Sequence, residues 1–141
     1  MPLFILDTDH VTYFQRNHPR VVQRVLEVSS QNLAVTIVTA EEQMRGWLNA
    51  IRRASSGSEL TIAYASLRAS LEYYETVQLL DFDAAAHERF GALRKQKVRI
   101  GTLDLRIAAI TLTTGGVLVT GNGRDFSQVP GLTFEDWSSA P

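Results

Sequence analysis

Cysteine is absent from the chain. That excludes disulfides and thiolate-held metal sites alike. Histidine is scarce, with three in 141 residues, and no obvious histidine pair offers a metal site of its own. No apolar run approaches the length needed to cross a bilayer. The N-terminus lacks the basic start and small-residue cleavage site of a secretory signal, and Asp7 interrupts it early. A cytoplasmic location without membrane contact is expected. Excess positive charge is missing too: the net charge is −1, so the chain does not coat nucleic acid by bulk electrostatics. Repeats, low-complexity tracts and interdomain linkers are not seen. With 45% hydrophobic and 21% charged residues, one globular domain over residues 1–141 with a full core is expected.

What is present starts at once. Leu3-Phe4-Ile5-Leu6 runs into Asp7-Thr8-Asp9-His10, a buried strand that stops at two acids. His10 to Arg16 reads as a short helix broken at His18-Pro19, and Pro19 opens a second helix with Val21, Val22, Val25, Leu26 and Val28 at helical spacing. Leu33 to Val38 is β-branched and predicts a second strand. Thr39 and Glu42 then match a capping box, opening a helix that fades at Ala54 to Gly57. Ser56 or Ser58 caps the next helix. Its stripe of Leu60, Ala63, Tyr64, Leu67, Leu71, Tyr74 and Val77 predicts either core or an inter-subunit surface.

Gln78 to Phe82 predicts a third strand, and Asp83 caps a helix to about Lys97. From Asp104 to Leu112 the chain is apolar nearly all round, which predicts a buried helix ended by Gly115-Gly116. Val117 to Thr120 is a fourth strand, Gly121 to Phe126 a turn or short helix, and Leu132 to Phe134 a last short strand. Helix-length connections between strands imply parallel pairing with right-handed crossovers. The expected fold is α/β: a mostly parallel sheet of four to five strands with helices on both faces.

Ligands of such sheets bind beyond the carboxyl ends of the strands. Asp7 and Asp9, Glu42, and Asn122 with Asp125 all follow strand ends, and Asp104 starts the buried helix. Each has a plain alternative: Asp7 or Asp9 as a helix cap, Glu42 completing the box with Thr39, Asp104 answering the helix dipole, Asn122 and Asp125 as turn residues. Capping does not explain why acids gather at one edge, where they repel and raise one another's pKa. A hard divalent cation resolves that repulsion, and an all-oxygen set suits Mg²⁺ or Mn²⁺. Two basic clusters, Arg45/Arg52/Arg53 and Arg89/Arg94/Lys95/Lys97/Arg99, would serve a phosphate backbone or form solvated helix faces. His10, His18 and His87 are expected to be structural or surface residues.

Four segments together resemble the PIN-domain ribonucleases, and among them the VapC-type toxins of bacterial toxin–antitoxin pairs. They are Leu6-Asp7-Thr8-Asp9-His10, Thr39-Ala40-Glu41-Glu42-Gln43-Met44-Arg45-Gly46, Ile100 to Ala109, and Leu118 to Phe126 followed by Val129-Pro130-Gly131-Leu132. The resemblance covers the whole chain in order. It implies a Mg²⁺- or Mn²⁺-dependent endoribonuclease that hydrolyses RNA phosphodiesters with metal-activated water. By position Asp7, Glu42 and Asp104 match the first three family acids and are the implied metal ligands, Glu42 alternatively orienting water. Asn122 stands where many relatives carry a fourth acid, and Asp125 lies three residues on; both are implied to support substrate or metal, and Thr8 to assist by hydroxyl or backbone. Asp9 stands where many relatives have Asn. A homodimer is implied, and a cognate antitoxin lying in an apolar groove, for which Tyr13, Phe14, Trp47 and Leu48 are candidates, with plain core packing the alternative. Two rival readings are a PIN-like binding module with a degenerate site and, from Asp7-Thr8-Asp9-His10-Val11, a haloacid-dehalogenase-like phosphatase with Asp7 as nucleophile. The latter lacks its later Lys and acid pair here.

Overall fold

The computed structural model describes residues 1–140. Five strands form one sheet in the order β3-β2-β1-β4-β5. They are β1 (Phe4–Leu6), β2 (Leu33–Thr36), β3 (Gln78–Leu80), β4 (Val117–Val119) and β5 (Thr133–Glu135). Every neighbouring pair is parallel. Seven α-helices connect them: α1 (Thr8–Gln15), α2 (Pro19–Glu27), α3 (Ile37–Arg53), α4 (Gly57–Thr76), α5 (Ala84–Lys95), α6 (Thr102–Thr114) and α7 (Gly123–Phe126). This is the expected α/β architecture, and the sheet is parallel throughout.

Alternation along the strands feeds two cores. Ile5 and Ala34 pack with Phe90, Leu93 and the α6 residues Leu105, Ile107, Ala108 and Ile110 on one face. Phe4, Leu6 and Val35 pack with Val11, Val21, Tyr74 and Trp137 on the other. The α6 segment is apolar nearly all round because it is buried nearly all round. Gly115 ends it in the left-handed region at φ 69°, where glycine carries no Cβ penalty. At Gly116 a Cβ would lie 2.9 Å from the Leu3 carbonyl oxygen and 2.8 Å from Ile5 Cδ1, so the entry to β4 admits no side chain.

Several boundaries differ from the sequence reading: β3 stops at Leu80, β4 at Val119 and α5 at Lys95, β5 runs one residue later, and three differences fall at the strand ends near the acids. Helix α1 begins at Thr8 rather than His10, with Asp7 at its N-cap. Strand β2 ends at Thr36, and Ile37-Val38-Thr39 is the first turn of α3. Thr36, not Thr39, is the cap: its hydroxyl accepts from the Thr39 N–H at 3.2 Å. The β-branched run reads as strand, but burying Val38 and Thr39 beneath the sheet edge outweighs that weak preference. The α4 stripe is not core throughout. Ala63 and Tyr74 are buried, whereas Tyr64 is 55% and Leu71 53% exposed.

Candidate active site

The pairing register aligns the ends of the three central strands. Leu6 pairs with Val35 and with Val119, so Asp7, Thr36 and Thr120 are the next residues along one sheet edge. All three are polar and buried. The sheet therefore presents a polar row at its carboxyl end, with one charge at its centre.

Asp7 is fixed by two bonds. One carboxylate oxygen accepts from the Thr8 N–H at 2.9 Å and the other from the Thr120 hydroxyl at 2.7 Å. Burial pushes its pKa up to about 7; the charge of Asp9 adds to this and that of Asp104 adds less, against the lowering effect of the Thr120 and Thr8 bonds. Asp104, in the first turn of α6, is pushed up to about 6, first by burial and then by Glu42, Asp125 and Asp9. The carboxylates from β1, α3, α6 and the β4 turn thus share one field. Among the described residues none of Asp7, Glu42, Asp104 or Asp125 has an ion-pair partner.

Glu42 lies in the second turn of α3 and does not cap it. Its Oε1 accepts from the Thr8 hydroxyl at 2.8 Å. Thr8 has a single hydroxyl proton, so its 3.0 Å contact with the Thr39 hydroxyl makes Thr39 the donor there. Thr39, the expected cap, instead starts a relay from Thr39 through Thr8 to Glu42. Asn122 caps α7 in position but not by its side chain. That side chain donates to Asp125 Oδ2 at 3.1 Å, while the Asn122 N–H donates to the Thr120 hydroxyl at 3.0 Å.

Thr120 was not among the site residues expected from sequence, yet it joins Asp7 to the Asn122 turn. The available signal was its position: it ends Leu118-Val119 as Asp7 ends Ile5-Leu6. We expect Thr120→Val to leave the Asn122 N–H unpaired and Asp7 short of one donor. The expected cost is about 1–3 kcal/mol and about tenfold or more in kcat, with Thr120→Ser restoring both. Urea titration and steady-state cleavage measure the pair.

Asp9 has a different task from Asp7. It accepts from the Gly121 N–H at 2.8 Å and from His10 Nδ1 at 2.8 Å. His10, fully buried, accepts the Trp137 N–H at Nε2 at 3.1 Å, so its proton sits on Nδ1. Asp136 Oδ1 lies 3.3 Å from the same Nε2 and gains a donor there only if the ring takes a second proton. Asparagine has one side-chain oxygen for these two donors, so the acid fits the His10 partnership. A Cβ on Gly121 would lie 2.9 Å from Asp9 Oδ2, so a side chain there would shift the Asp9 carboxylate from this position. His10 has the structural role expected of it. His18 accepts from the Val21 N–H at 3.4 Å as the cap of α2, and His87 is exposed on α5.

A groove of about 740 Å³ opens beside the acids, lined by Thr8, Glu42, Gln43, Trp47, Arg53 and Tyr73 among others. Of the four groove candidates Trp47 alone lines it, with its indole N–H donating to Ser70 at 2.7 Å. Tyr13 and Phe14 pack against the core, and Leu48 is 53% exposed elsewhere.

The donor set is all oxygen. Asp7 and Asp104 are both raised, first by burial and then by the carboxylates around them. No three of the described carboxylates or histidines close into a ready-made cage.

A parallel sheet with crossover helices and carboxylates at the ends of its central strands is the α/β architecture that the sequence resemblance implies. Residues 4–132 match the PIN domain family, and the chain belongs to it. The tRNA(fMet)-specific endonuclease VapC of Shigella flexneri is 29% identical over 139 residues, covering 96% of this chain and 98% of that protein. The DNA-bound VapBC of Salmonella typhimurium superposes with a TM-score of 0.79 at 23% identity, over 97% of this chain and 99% of that one. VapBC-1 of nontypeable Haemophilus influenzae gives 0.76 at 26% identity, over 96% and 98%. Within the PIN family the protein is a VapC-type ribonuclease toxin of a toxin–antitoxin pair. The phosphatase alternative falls with that membership. No helix is long and apolar enough to cross a membrane among the described residues.

Proposed function

We propose that Asp7, Asp104 and Glu42 hold Mg²⁺ or Mn²⁺ at the sheet edge and that RNA is hydrolysed there. The observation that carries this is the unpaired field of carboxylates, two of them raised, around the buried Asp7. Such an ion, when bound, lowers the pKa of water and neutralises charge on a phosphodiester. The chain's own residues do the positioning. Thr8 N–H and Thr120 aim the two Asp7 oxygens; the Thr39–Thr8 relay aims Glu42; the Asn122–Asp125 bond fixes the carboxylate at the β4 turn. Asp125 supports substrate or metal from there.

The name of the Shigella relative makes structured transfer RNA the first substrate to try. A cognate antitoxin segment fits the groove that runs from Glu42 past Trp47 to Arg53. The exposed apolar residues of α4 suit contact with a second protein chain, in keeping with the implied homodimer. The test is induced expression with and without the neighbouring gene, followed by mapping of RNA ends. Growth arrest and new RNA ends are expected, relieved by the neighbour and lost with Asp7→Ala. Arrest that persists with Asp7→Ala contradicts the assignment. Arrest without new ends supports the binding-module reading instead.

A further inference from the structure

Between α5 and α6 the chain leaves helix through Gln96 and enters the next helix at Thr102. Arg94, Lys97, Arg99 and Thr102 line a cavity of about 320 Å³ there. The charge is all of one sign at these positions, and no carboxylate pairs with any of the three cations among the described residues. Arg94 is partly preoriented, its guanidinium lying 5.7 Å from the Phe90 ring centroid.

Lys97 is the unusual member. Its φ is +60°, the left-handed region that glycine occupies freely and a side chain enters at a cost. It follows the α5 C-cap, where glycine is the common residue. Its side chain is exposed and makes no ion pair among the described residues, which leaves the ammonium free to meet an anion.

The cavity adjoins the acid edge. Gly101 lies between Ile100 and Thr102, both of which line it. A Cβ on Gly101 would come 3.8 Å from Asp104 Oδ2, so the segment walling the cavity also backs Asp104. A polyanion whose phosphodiester is cut among the carboxylates must carry its neighbouring phosphates past repelling charge. The three cations, on the segment that leads into the Asp104 turn, answer that repulsion.

We propose that this cavity is a phosphodiester subsite that holds the RNA backbone beside the scissile bond, with Lys97 as its positioning residue. The proposal rests on the ribonuclease reading above and adds the place where the flanking backbone sits. It explains how a chain with net charge −1 holds RNA: three unpaired cations lie together where the backbone passes.

The test is steady-state cleavage of a fluorescein-labelled single-stranded RNA of mixed sequence, over a range of salt, by wild type, Lys97→Gly and Lys97→Asn. Both replacements tolerate the left-handed backbone, so their melting temperatures are expected at or above that of wild type. KM is expected to rise about fivefold with kcat nearly unchanged. The dependence of log(kcat/KM) on log salt is expected to flatten by about 0.7 for the lost contact to single-stranded backbone, with Lys97→Arg restoring it. Cleavage with unchanged KM and salt slope overturns the subsite and leaves the ribonuclease reading intact. Absence of cleavage by the wild-type protein overturns that reading, and the subsite with it.

Discussion

Replacing Asp7 by asparagine is expected to abolish RNA cleavage and, at the same time, to stabilise the metal-free protein near neutral pH. The two effects have one cause. Asp7 is 5% exposed, and burial together with the charges of Asp9 and Asp104 pushes its carboxyl up to about 7. Its unfolded value is about 3.9. Between those values the folded state binds more protons than the unfolded state, so stability falls as pH rises from about 4 to about 7. Above that window the protein carries a buried charge that it would be more stable without. Asparagine removes the charge and keeps the local geometry. Its oxygen accepts the Thr8 N–H, and its amide donates to the Thr120 hydroxyl, which has lone pairs for both that donor and the Asn122 N–H. The expected gain is about 1–3 kcal/mol at pH 7.5, after allowing for relaxation around the charge. The expected loss in kcat is on the order of a thousandfold, because in the proposed site the same charge is the central donor to the metal. Thermal unfolding in chelator and single-turnover cleavage measure the two sides. A variant that is inactive but less stable would mean that the buried Asp7 charge is not a burden on the folded state.

Stabilisation by Mg²⁺ is expected to grow with pH between about 6 and 8, and chelation to remove cleavage altogether. Asp7 at about 7 and Asp104 at about 6 hold protons in this range that must leave before their oxygens can bind a cation. The sign follows directly. A cation binds the deprotonated site, so protons compete with it more strongly as pH falls. The protein on its own loses stability as Asp7 ionises, and a divalent ion should restore it where that loss is largest. Melting curves with and without Mg²⁺ should therefore diverge as pH rises, and calorimetry in buffers of different ionisation enthalpy should detect proton release on binding near pH 7. A Mg²⁺ shift that is independent of pH would remove Asp7 and Asp104 from the binding event.

Much of this site can be read in the sequence because strand order and acids follow local rules. Short apolar runs that stop at Asp7 and at Thr120 mark the strand ends, and parallel crossovers bring those ends to one edge. The apolar stretch after Asp104 identifies a buried helix, and a carboxylate in its first turn then has few places to point. Asp83 and Ser56 were legible as caps because their hydrogen bonds are made within a single turn: they accept from Ala86 N–H at 2.9 Å and Glu59 N–H at 3.1 Å.

Long-range bonds were not legible. Thr39 and Glu42 fit a capping box, yet both turn to Thr8, whose hydroxyl arrives from a different strand end. The start of α3 is hidden because Ile37 to Thr39 has the composition of a strand and becomes helix by packing under the sheet edge. The part Asp9 plays depends on His10 meeting Trp137, 127 residues away in the chain, which no local pattern announces. The α4 stripe has helical spacing whether it faces core or solvent. Periodicity reports a face, and only the fold says what covers it.

The central claim is that the carboxylates at this sheet edge cut RNA with the help of a divalent ion. The most direct measurement is cleavage of transfer RNA by the purified protein after chelation, with and without added Mn²⁺, beside the Asp7→Asn/Asp104→Asn double variant. Cleavage is predicted for the wild type only when Mn²⁺ is present, and none for the double variant, which should remain folded by thermal melting. Metal-independent cleavage by the wild type, or cleavage that survives in the folded double variant, would contradict it.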